Sequence, residues 1–145
     1  MNQDLRNVQL PEGYLARGYF DANGNIYREL ITDHAEAVAK KLEGLTPSQF
    51  RRYFNHARRI EARVRQEIDF DTIRHELDRM KPLVMSALAD RNAKMTPTFA
   101  AMLHRMIDAV ETSHDFVMGF MPHFEAVLAY FIYYNNRAHR GGQRR

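Results

Sequence analysis

The stretch TPSQFRRYFNHARRIEARVRQE (46–67) decides what kind of domain this chain forms. Thr46, Pro47 and Gln49 supply an N-cap, a proline at the first helical position and the glutamine of a capping box, three signals for one helix start. On a helical wheel, Phe50, Tyr53, Phe54, Ala57, Ile60 and Val64 gather on one side. Six arginines take the rest of the circumference. Arg51, Arg58 and Arg65 form one stripe, and Arg52, Arg59 and Arg63 form a second. A helix so divided must bury its apolar side against other helices, so a packed domain has to surround it.

The flanking sequence supplies those helices. Upstream, Leu30, Ile31, Ala35, Val38, Ala39 and Leu42 recur at helical spacing over 27–43, and Gly44 provides a stop. Downstream, Ile73, Leu77, Met80, Val84 and Leu88 predict a third helix from a cap at Asp69 or Asp71 to residue 91 or 92. Pro82 bends or splits it, because its ring removes the bond to the carbonyl of Asp78. Thr96 and Pro97 repeat the cap-then-proline signal ahead of Phe99, Met102, Leu103, Met106, Ile107 and Val110, and a fifth helix spans 115–134 with an interruption at Pro122.

No strand-period segment of useful length follows residue 30, and the connections are short. The predicted fold is therefore all-α: a single-domain antiparallel bundle of about five helices over residues 26–136. Residues 1–25, broken by Pro11, Gly13, Gly18 and Gly24, are expected to form an irregular N-terminal arm. Within it Asn23 and Gly24 suit a type I′ hairpin turn or an irregular lead into the next helix. Residues 137–145 hold four arginines, two glycines and no large apolar residue, which predicts a flexible, disordered basic tail.

Composition narrows the function. The 145 residues make one domain, and cysteine is absent, which removes disulfides, thiolate zinc sites and cysteine nucleophiles. The first 25 residues carry Asp4, Glu12 and Asp21 without an apolar core, so no secretory signal is expected there and the cytoplasm is the default compartment. The apolar window 116–134 contains Gly119, Pro122, His123 and Glu125, so it is read as a buried helix and no membrane partner is expected.

Seven histidines (His34, His56, His75, His104, His114, His123 and His139) lack metal-site spacing, which favours surface or hydrogen-bonded states over a metal-dependent hydrolase. Nucleophile elbows and phosphate loops are missing, and Glu76 and Asp78 point in different directions on a helix. No catalytic residue, metal or cofactor is expected, and the chain is read as a non-enzyme. The helix-five phenylalanines are assigned to the core.

The net charge is only +3, so its distribution matters more than its size. Residues 46–67 carry six arginines, two glutamates and no lysine. Guanidinium groups stay charged and bind phosphate oxygens in pairs, so two stripes of them suit a phosphodiester backbone. Asn55 and Gln66 lie between the stripes. The plainer alternatives are a solvated face, relieved by Glu61 and Glu67, and a helical adaptor whose basic face docks an acidic protein. Eight methionines are consistent with adaptable packing or self-association.

Four segments carry a family resemblance. LITDHAEAVAKKL (30–42), LTPSQFRRYFNHARRIEAR (45–63), MKPLVMSALADR (80–91) and FMPHFEAVLAYFIYY (120–134) together resemble the small helical subunit of type III-A CRISPR interference complexes, the Csm effector. Two departures stand out: Ser86 and Ala87 lie where the lysine-proline segment usually holds a tyrosine, and Phe131 stands where a histidine often follows the AY pair. The resemblance implies a non-catalytic subunit, present in more than one copy and self-associating beside the backbone subunits and the large signalling subunit. It also implies that the subunit lines the groove for crRNA and target RNA. Carried over, Arg51, Arg52, Arg58 and Arg59 are the RNA-binding candidates, with Arg91 closing the lysine-proline segment; Arg63 and Arg65 join them from the wheel. Neutralising six phosphates corresponds to a salt slope of about −4 on single strands.

Overall fold

The computed structural model describes residues 3–66 and 68–143, with side chains for 5–66 and 68–138. Among them the chain is all-α: α1 (Gln3–Arg6), α2 (Arg28–Ile31), α3 (Asp33–Lys40), α4 (Pro47–Val64), α5 (Phe70–Ala89), α6 (Pro97–Asp108), α7 (Ser113–Asp115) and α8 (Met121–Gln143), with a π segment, Phe116–Phe120, between the last two.

The cap signals form as expected. The Thr46 hydroxyl accepts the amide of Gln49 at 3.2 Å and Thr96 accepts that of Phe99 at 3.3 Å, each followed by proline. The single helix expected over 27–43 is instead two. It breaks at Thr32, whose hydroxyl donates to the Arg28 carbonyl at 2.7 Å, the kind of bond to the preceding turn that bends a helix. Of the two outcomes open at Pro82, a bend or a split, the split does not occur: α5 runs through it as one helix. Pro82 is exposed, so the carbonyl it leaves unpaired lies on a wetted face.

The interruption expected at Pro122 falls a turn earlier, in the π segment, where a wider turn accommodates a proline that has no amide to give. Helical backbone then continues to Gln143, past the tail boundary that composition suggests at residue 137. Arg144 and Arg145 of that tail lie outside the described residues.

Aromatic rings join α4, α6 and α8. Phe50 stands 5.0 Å from Phe99, 5.3 Å from Phe124 and 5.3 Å from Phe131, centroid to centroid. Phe116, Phe120, Phe124 and Phe131 are all buried, as the core assignment requires. The helical run 113–138 is long and apolar enough by composition to cross a bilayer, but this row of phenylalanines and His123 faces other helices.

The N-terminal arm is built into that core. Tyr14 and Tyr19 are almost wholly buried. The Tyr19 hydroxyl donates to the Met106 carbonyl at 2.6 Å, and its ring lies over Gly119, where a Cβ would come within 2.5 Å of the ring. The Tyr14 hydroxyl meets His123 Nε2 at 2.5 Å, and His123 Nδ1 bonds the Leu30 carbonyl. Burial pushes His123 down to about 4, which keeps it neutral, with Nδ1–H donating to Leu30 and Nε2 accepting from Tyr14.

Asn23 and Gly24 lie in a wider loop than a two-residue hairpin turn. A single bridge pairs Phe20 with Ile26, and the Asp21 carboxylate accepts the amides of Asn23 and Asn25.

Candidate nucleic-acid interface

Helix α4 buries Phe50, Tyr53, Ala57 and Ile60 and exposes Arg51, Arg52, Arg59 and Arg65. Its two arginine stripes meet different neighbours. Arg58 turns toward α8: it pairs with Glu61 at 2.9 Å and Glu125 at 3.4 Å, and its guanidinium lies 4.9 Å from the Phe54 ring centre. Arg63 turns toward α5 and pairs with Glu76. Two of the six guanidinium groups read from the wheel, Arg58 and Arg63, thus already hold carboxylates. Among the described residues, Arg51, Arg52, Arg59 and Arg65 make no ion pair.

The second stripe borders a groove between α4 and α5, lined by His56, Arg59, Ile60, Arg63, Glu76 and Arg79. Tyr53 fixes the spacing of the two helices with a 3.4 Å bond from its hydroxyl to the Leu83 carbonyl. The pKa of His56 is lowered by partial burial, then by the charges of Arg59 and Arg52, so the imidazole lines the groove mainly as a neutral group at neutral pH. Its Nδ1 faces Arg59 at 3.5 Å. From Arg52 to Arg63 the stripe covers three turns, about 16 Å at 1.5 Å per residue.

Arg79 is the residue that sequence reasoning missed. It is exposed on α5 and has no ion pair among the described residues. Its signal was present but indirect: a connection of only a few residues after α4 returns the chain alongside itself, which sets the first half of α5 beside the second half of α4. Arg91 is exposed beyond the end of α5, two turns past Leu83, and does not line the groove.

These features define an all-α protein with one helix committed to the core by its apolar face and to solvent by a row of guanidinium groups. A family model for Csm2 Type III-A matches residues 26–137, and the chain belongs to that family. It is thus a small structural subunit of type III-A CRISPR Csm complexes, associated with the other Csm subunits. No match is found among curated proteins or among solved structures. The matched segment starts at Ile26, so Tyr14 and Tyr19 lie outside it and yet sit in the core.

Proposed function

We propose that this subunit grips the sugar-phosphate backbone of the crRNA or target RNA with the α4 arginines and Arg79, without reading sequence, while its remaining surface scaffolds the cytoplasmic complex and packs against further copies of itself. The observation that carries this reading is the set Arg51, Arg52, Arg59 and Arg79, exposed side chains that lack carboxylate partners among the described residues. A subunit that must accept any guide has to contact phosphates and leave base edges alone. Four such contacts correspond to a salt slope of about −3 on single-stranded RNA, at roughly 0.7 per phosphate.

The test is replacement of Arg51, Arg52, Arg59 and Arg79 by alanine within the assembled complex, read by crosslinking to RNA. Loss of the crosslink with normal assembly supports backbone contact. An unchanged crosslink ends the proposal and leaves the face to a protein partner.

A further inference from the structure

The α4–α5 groove holds one feature that works against anion binding. Glu76 is the sole carboxylate among the residues lining it, set among Arg59, Arg63 and Arg79. It is the more sheltered member of its pair, with side-chain exposure of 23% against 43% for Arg63. The other carboxylate of that helical turn, Asp78, is engaged elsewhere with Arg74 and Lys81. Glu76 therefore does two things to an incoming phosphate: it occupies the Arg63 fork, and it presents a negative charge to the groove.

Resting on the backbone-binding reading above, we infer that Glu76 is a built-in competitor for Arg63, a latch that a polyanion must open to gain the full groove. A phosphate seated between Arg59 and Arg79 repels Glu76 and offers Arg63 a fork-matching acceptor, so Arg63 transfers from carboxylate to phosphate. Until then, the groove offers two guanidinium groups in place of three. The consequence is restrained affinity, which suits a surface that reads no letters: stray RNA is held loosely, and only a strand retained by further contacts opens the latch.

The experiment uses the purified 145-residue chain with an oligouridylate across a salt series, and with a heparin column as a second polyanion. Glu76→Gln keeps the side chain's size and its ability to hydrogen-bond. It is expected to bind RNA about two- to fivefold tighter, the range released by one exposed ion pair. Its salt slope should steepen by about 0.7, one added phosphate contact, and it should leave heparin at higher salt. In an Arg63→Ala background the same change should tighten binding less and leave the salt slope where it was, since only the repelling charge is then removed and no guanidinium group is released. Equal tightening with and without Arg63 overturns the inference, because Glu76 then acts only as a repelling charge. No change in the arginine-containing chain overturns it as well. Absence of RNA binding by every variant, with the heparin shift intact, removes the RNA reading and leaves the latch standing.

Discussion

The N-terminal arm and α4 make opposite pairs of appearance and role. Residues 11–24 look like a loop, broken by proline and glycines, yet they place Tyr14 and Tyr19 among the most buried side chains of the protein. Helix α4 looks like what it is, yet which of its arginines face open solvent depends on Glu76 and Glu125, carried by other helices. Local pattern reports the type of an element. Burial of an irregular segment and neutralisation of a charge both depend on partners distant in sequence, to which periodicity is blind.

That contrast can be broken at the arm first. Tyr19→Ala removes a buried ring and its bond to Met106, and the expected loss is about 3–5 kcal/mol in urea unfolding. A loss below about 1 kcal/mol, typical of an exposed site, would show the arm to be dispensable.

Acid should loosen the arm through His123. Its folded pKa, about 4, lies below the ordinary 6.5, so the unfolded chain binds the extra proton first. This contribution to stability is complete above pH 6.5 and is lost as pH falls toward 4, the loss reaching about 3 kcal/mol at the bottom of that window. Once protonated, His123 can no longer accept from Tyr14. Urea titrations between pH 7 and pH 4 should show this decline, and a His123→Gln chain that still folds should show a shallower one.

Gly119→Ala drives a methyl group into the Tyr19 ring, and the expected cost is about 1–3 kcal/mol in the same assay. A Tyr19→Ala background should recover only part of this stability, because alanine removes the ring but keeps the Cβ that would lie 2.6 Å from the new methyl group.

On α4 the effects on stability should be smallest. Arg52→Ala with Arg59→Ala should move unfolding by less than about 0.5 kcal/mol, as exposed positions do. The same pair should flatten the RNA salt slope by about 1.4, two phosphate contacts. A stability loss as large as that of Tyr19→Ala would mean these arginines hold the fold together.

Much of the fold is legible in residue order, and the reasons are local. The capped starts at Thr46 and Thr96 depend on neighbours three residues away, and the apolar stripes of α4 and α6 depend only on helical repeat. The break at Thr32 was not legible, and the sequence left open whether Pro82 bends its helix or splits it, since each depends on whether one backbone group finds water or a partner. On the candidate interface, Arg51, Arg52 and Arg59 could be read from the wheel, whereas Arg79 required knowing that α5 returns beside α4.

By itself, then, the sequence determined an all-α chain and a helix with an apolar side and a guanidinium side, because both follow from short-range spacing along one helix. Only the tertiary structure decided that the arm belongs to the core, that Arg58 and Arg63 are already paired, and that Arg79 joins the groove. Each of those depends on atoms brought together from separate parts of the chain, and the free energy of a charge or a ring is set by what surrounds it in space.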